Sequence, residues 1–478
     1  MMVHRSKASA SPGSALQSSA LSAITMALVA TYAGCGGSGT PSLSSGGDAG
    51  DGGVVAKPTQ GNDSGIEGDA GGPHDAGAGA TDANGAASTT YPAFQVDVAQ
   101  VTDNGGPVLA APVVVTVTWS TDPDAQTYDA LGDTIGASAY WKDINSEYGV
   151  GAATSGAANH VSVTTAPPAA GFDDGELDAL VEANAGTSWP ANTPNTIYAI
   201  YLPPGSALYF GGPASAGGQD ACAQGVGGYH TESQNKNLVY AIMPHCSNFQ
   251  TADVELGASH ELNEAATDPH TNTTPAYYGF DTNHLAFEFF NQFQDELGDA
   301  CETFATSTDS TDFAPYVVQR QWSNKSAAAG SQWCLPKIAE PFYNTTFLPA
   351  SNLDTINADL TTLGYGPAQS KGFKIALNTS RTFPIGLFSD MATSGPFSLD
   401  VQALGADYPI GQDQNGNNIN NGTATVTLDK TSGVNGDIAN VTVTPTSYSS
   451  LGITFFYIRA VLAGSQQHHY LPVLISQN

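Results

Sequence analysis

The sequence predicts an α/β or α+β domain followed by an all-β, immunoglobulin-like sandwich. Three observations carry this expectation. In the first half, β-branched runs alternate with segments of helical spacing. From about Gly372 onward, short runs of alternating apolar and polar residues recur between Gly, Asn and Ser turns. Between these regions lies Glu255–His270, which reads as one helix with His260 and Glu264 four residues apart on a shared face. At 478 residues, the chain has length for more than one domain and for a substantial core.

The N-terminus opens with His4, Arg5 and Lys7, then runs apolar from about Ala20 to Ala33. That run is too short to span a bilayer comfortably, so residues 1–35 read as a signal peptide. It ends in Tyr32-Ala33-Gly34-Cys35-Gly36-Gly37, which resembles a bacterial lipobox with Cys35 as the lipidated first residue of the mature chain. Tyr32 departs from the usual aliphatic residue, which leaves ordinary cleavage after Ala33 open. Residues 36–90 are mostly Gly, Ala, Ser and Asp, a composition that buries too little apolar surface to order, and they read as an acidic tether. The expected location is extracytoplasmic: an outer-membrane or cell-surface lipoprotein, or a secreted protein. Contact with the membrane is expected only through the lipid.

The formal charge is −31, with 13 Lys and Arg in total. Removing Arg5 and Lys7 with the leader takes the mature chain to −31 − 2 = −33. Such a balance argues against nucleic acid as a partner, because phosphate backbones need basic patches.

Order is expected from Tyr91, with residues 91–340 forming the first domain. Pro112–Trp119 is a β-branched run and reads as a buried strand. Ser138–Glu147 is a helix by the spacing of Tyr140, Trp141 and Ile144. His160–Thr164 is a short strand, and Asp173–Glu182 a helix with acidic residues at its start. Thr196–Leu202 and Asn237–Met243 are strands, the latter expected at a sheet edge where an extended substrate could pair. The next helix runs from about Ala252 to Thr267, capped by Thr251 or Asp253 and stopped before Pro269. Residues 341–370 read as a connector with some helical content, and 371–478 as a sandwich of about seven strands.

Apart from Cys35, the cysteines are Cys222, Cys246, Cys301 and Cys334, which in an exported chain suggest two disulfides. Sequence allows three pairings. Pairing by proximity, Cys222 with Cys246 and Cys301 with Cys334, is the first choice because both bridges would brace segments flanking the helix.

His260-Glu261-Leu262-Asn263-Glu264 matches the layout of zinc peptidases, and a zincin-like domain is therefore expected. There, two ligands at this spacing hold Zn2+, and the Glu after the first ligand is the general base. Here Glu264 stands where such enzymes have a second His. Glu296 or Asp299 would supply a third ligand, the other orienting His260. Glu261 would take the proton of a metal-bound water, and His230 would stabilise the oxyanion. His270 and the His284/Glu288 pair are weaker ligand candidates. The bland reading of the pentapeptide is a His–Glu pair steadying a helix by a few tenths of a kcal/mol.

Tyr148-Gly-Val-Gly151, Tyr229-His230, Tyr240-Ala-Ile-Met-Pro244, His260–Pro269, Glu296-Leu-Gly-Asp-Ala-Cys301 and Val318-Gln-Arg-Gln-Trp-Ser-Asn324 occur in this order. Together they resemble a family of secreted bacterial metallopeptidase-like proteins, distantly similar to the plant phosphate-induced (Exordium-like) proteins. The resemblance covers roughly residues 91–340. It implies that His260, Glu261, Glu264, Glu296, Asp299 and Cys301 are family positions, and that the substrate is a peptide or protein. The competing expectation is an inactive surface protein that binds a wall polymer, glycan or protein on the same scaffold.

Overall fold

The computed structural model describes residues 88–291, 293, 296–304, 309–402, 405–413 and 417–477. The signal peptide, Cys35 and nearly all of the tether lie outside the described residues. A five-stranded sheet organises the first half: β1 (Val113–Trp119), β2 (His160–Val163), β3 (Thr196–Tyr201), β4 (Tyr229–Glu232) and β5 (Val239–Met243). Their spatial order is β2-β1-β3-β5-β4. The first four in that order run parallel, and β4 returns antiparallel to β5. β1, β3 and β5 are near-continuous apolar runs, as expected for parallel strands covered on both faces.

Helices provide that cover. α1 (Ala125–Ile135) and α2 (Ala139–Asn145) lie on one face, α3 (Asp174–Asn184) on the other, and α4 (Thr251–Thr267) on the first. Leu131, Trp141 and Leu262 share a core with Ile197 and Ala241, whereas Leu177 and Val181 pack with Val117, Ile200 and Ile242. α3 is capped reciprocally: the Asp173 carboxylate accepts the Glu176 N–H at 2.8 Å, and the Glu176 carboxylate accepts the Asp173 N–H at 3.2 Å. α1 forms where sequence reading assigns no helix. Its Gly132 looks like a breaker, yet a Cβ there would lie 2.7 Å from Thr116 Oγ1, so glycine permits the close approach to β1.

Two expectations are corrected. The strand preceding the His260 helix was expected at an edge. β5 is interior, and the edge is β4, because Tyr229–Glu232 folds back onto β5. The supposed 341–370 connector contributes strands: Tyr343–Phe347 pairs with Arg381–Ser389, and Asp354–Asp359 with Pro367–Lys374. The sandwich therefore begins at Tyr343 and has ten strands among the described residues, seven of them wholly within 371–478 as expected. Tyr343–Phe347, Arg381–Ser389, Ile438–Ser447 and Thr423–Leu428 form one sheet in that order. Asp354–Asp359, Pro367–Lys374, His468–Ser476, Ile453–Leu462, Phe397–Gln402 and Ser432–Gly433 form the other. Phe383, Ile385 and Val441 from the first share a core with Phe373, Phe456 and Val473 from the second.

The two halves are not separate beads. Phe290, on α5 (Leu285–Phe290), has its ring centroid 4.9 Å from Tyr457 and 5.1 Å from Tyr470 of the sandwich. Trp333 and Phe342 extend the same cluster at 4.6 Å. Charged groups add to the junction: Asp97 accepts from Lys371 Nζ at 2.8 Å and pairs with His284 Nε2 at 3.1 Å. Phe290→Ala is expected to cost about 3–5 kcal/mol, read from denaturant unfolding, because it opens a cavity where both halves meet.

Candidate metal centre

α4 starts at Thr251, and the Asp253 carboxylate accepts the Gln250 N–H at 2.7 Å. It ends at Thr267, as the Asp268-Pro269 sequence requires. Val254, Ala258, Leu262 and Ala265 face the sheet core. The opposite stripe is also buried: His260, Glu261 and Glu264 are 8%, 4% and 2% exposed. β4 brings His230 to this stripe, and α6 (Leu297–Phe304) covers it with Gly298, Asp299 and Glu302. Such burial of charge demands compensation.

Much of that compensation comes from the site itself. Glu264 Oε1 accepts the N–H groups of Gly298 and Asp299 at 2.9 and 3.2 Å, a carboxylate at a helix N-terminus. Glu264 Oε2 faces His260 Nε2 at 2.9 Å and His230 Nδ1 at 3.7 Å. His260 Nε2 is also 3.6 Å from Asp299 Oδ1. Gln319 fixes the ring: its Nε2 donates to Gly298 O at 3.0 Å, so its Oε1 accepts from His260 Nδ1 at 3.0 Å. With Nδ1 so engaged, Nε2 is the nitrogen turned toward the carboxylates.

His230 was expected to donate to an oxyanion. Its nitrogens are instead occupied: Nδ1 lies 3.4 Å from Glu261 Oε2, and Nε2 lies 3.4 Å from Glu296 Oε1 and donates to Asp268 O at 3.2 Å. The cause is the β4 hairpin, which lays His230 directly over α4. Glu296 and Asp299 were alternatives for one role, and the fold brings both to the cluster. His230, Glu264 and Glu296 form one triad with donor atoms within 4.8 Å of one another, and His260, Glu264 and Asp299 form another. Imidazole and carboxylate donors in this arrangement fit Zn2+ or a related divalent ion. Glu296 Oε1 is buried, and His230 Nε2, its neighbour at 3.4 Å, already donates to Asp268 O, which is consistent with that fit.

Electrostatics point the same way. Burial opposes charge on the imidazoles, but Glu296 and Glu261 around His230, and Glu264 and Glu261 around His260, raise both well above the usual histidine value. Burial would raise Glu264, yet His260, His230 and the Asp299 N–H outweigh it and hold it low. Burial raises Glu296 to about 8, with His230 pulling it down and Glu264 adding to the rise. Burial and the Glu264 charge push Asp299 well above the carboxylate range. Among the described residues, no Lys or Arg pairs with these carboxylates. At neutral pH the cluster therefore retains protons that a divalent cation would displace.

Two glycines make room for the centre. A Cβ on Gly298 would lie 2.8 Å from both Glu264 Oε1 and His260 Cε1, and one on Gly228 would lie 2.7 Å from Glu261 Cγ. Gly298→Ala is expected to weaken metal binding about 10–100-fold, the usual effect of disturbing groups that orient ligands. Metal titration, with circular dichroism to check the fold, measures it.

The weaker candidates lie elsewhere. His270 Nδ1 is 3.4 Å from Glu232 Oε2. His284 binds Asp281 at 2.9 Å and Asp97, and its i+4 partner Glu288 accepts the Phe280 N–H. Sequence reasoning missed Gln319, Glu302, Gly228 and the Asp268 carbonyl. Gln319 and Asp268 lie inside quoted blocks, but nothing in a linear motif says which member touches a ligand. The disulfides join Cys222 to Cys246 and Cys301 to Cys334. The first ties the segment before β4 to the end of β5. The second ties α6 to Cys334–Leu335, the strand paired with Gln321–Trp322.

No family model matches the chain, and no curated protein matches its sequence. Among solved structures, the ASH / PapD-like domain of human CEP192 (PapD-like domain 7) aligns at 14% identity and TM-score 0.16, over 30% of this chain and 92% of that one. Domains 4 and 5 of the S-layer protein SbsC align at 15% identity and TM-score 0.15, over 33% of this chain and 85% of that one.

Proposed function

We propose that this chain is an exported, zinc-dependent, peptidase-like hydrolase acting on a peptide or protein, with a lipid on Cys35 as its membrane attachment. One observation carries the reading: two imidazoles and three carboxylates converge on one buried stripe of α4, with Glu261 beside them. The segments that meet there are those that resemble the secreted bacterial metallopeptidase-like family. Two disulfides favour an oxidising compartment. No helix among the described residues is long and apolar enough to cross a membrane.

A bound zinc ion supplies Lewis acidity toward a scissile carbonyl and lowers the pKa of water. His260, Glu264 and Asp299 would hold it, with Gln319 locking the His260 tautomer. Glu261 accepts the proton of the attacking water and passes it to the leaving amine. His230 lies 3.4 Å from Glu261 on the same stripe. Glu264 in place of a second His adds negative charge at the metal, which lowers Lewis acidity and predicts slow turnover. The test is cleavage of an unstructured protein by the full chain, lost in chelator and restored by Zn2+. Metal-bound protein that cleaves nothing would overturn the hydrolase reading.

Burial favours a second reading, in which the metal only stabilises a scaffold that binds a wall polymer, glycan or protein, since little of Glu261 or Glu264 meets solvent. It predicts a thermal midpoint that falls in chelator, with no cleavage in any divalent ion.

A further inference from the structure

We infer that the cluster is a two-metal centre bridged by Glu264, with His260 and Asp299 completing one site and His230 and Glu296 the other. This rests on the cluster being a divalent-cation site. The donors divide into two triads, and Glu264 is the member they share. Donors about 2.0–2.2 Å from a single ion lie within about 4.4 Å of one another. The His230/Glu296 and His260/Asp299 pairs do not fall into one such group among the described residues. One ion leaves half of them unused, whereas two ions use all of them.

Glu264 has the chemistry of a bridge. Its Oε1 is held by two backbone N–H groups, and its Oε2 lies between His260 Nε2 and His230 Nδ1. A histidine at this position would offer one lone pair to one ion, while a carboxylate can serve two. Charge agrees in direction: Glu264, Glu296 and Asp299, with Glu261 and Glu302 beside them, carry five negative charges when ionised, more than one divalent ion offsets. The replacement that looks like a defect in a one-metal motif is what a shared ligand requires.

Metal analysis of the full chain after equilibration with Mn2+ and gel filtration tests this, together with electron paramagnetic resonance of the bound ions. The expected result is two equivalents with a spin-coupled spectrum. Glu296→Gln and Asp299→Asn should each retain one equivalent and show an uncoupled six-line signal, with circular dichroism reporting that each variant is folded. One equivalent in the wild type would overturn the bridge and leave the one-metal reading standing. Two uncoupled equivalents would also overturn it, placing the second ion elsewhere on this acidic chain. No bound metal would overturn both.

Discussion

Glu261→Gln is expected to lower hydrolysis of an unstructured protein by about 10²–10⁴-fold while metal content stays unchanged. The amide is nearly isosteric, so it fits beneath Gly228, where the Glu261 side chain is already confined. It cannot accept a proton, and it also takes away a negative charge that raises His230 and His260. Glu261 belongs to neither triad, so its neutralisation leaves the ligand set intact. A fall in metal content alongside activity would make Glu261 a ligand. Equal activity in the variant would place the base elsewhere.

Metal affinity is expected to strengthen with pH up to about 8, roughly tenfold per unit for each proton displaced. The sign follows from the ligand chemistry. Burial keeps a proton on Glu296 up to about 8, and coordination needs the carboxylate, so the ion must expel that proton below this pH. His230 and His260 are raised in the same direction and must also surrender protons to offer lone pairs. Above about 8 the Glu296 contribution is exhausted and the dependence on it flattens. Competition with a chromophoric chelator from pH 6 to 9 measures the slope, and calorimetry in two buffers of different ionisation enthalpy counts the protons. Affinity independent of pH would mean that neither Glu296 nor the histidines ligate.

Local patterns were read best where one residue type dominates. Val113–Trp119, Thr196–Tyr201 and Val239–Met243 are strands because β-branched and aromatic runs have few alternatives. α4 was legible because its small apolar stripe repeats at helical spacing and Pro269 ends it. α1 was not, since Gly132 lowers intrinsic helicity and its value lies in clearance from Thr116. Asp354–Asp359 was hidden because Asp and Asn disfavour strands, and only pairing with Pro367–Lys374 overrides that preference.

The sequence by itself determined the chemistry available: His260, Glu261 and Glu264 on one helix, carboxylates within the next forty residues, and four cysteines whose pairing it left open. Spacing within one helix is dictated by backbone geometry, so a linear reading reaches it. Which groups meet across elements depends on strand order and on the seating of α6, and only the tertiary structure decided that. It brought Glu296 to His230 and Asp299 to His260, turned His230 from an oxyanion donor into a member of the cluster, and aimed two helix-terminal N–H groups at Glu264. A buried carboxylate at that point needs those donors, and they come from a part of the chain that no local motif can see.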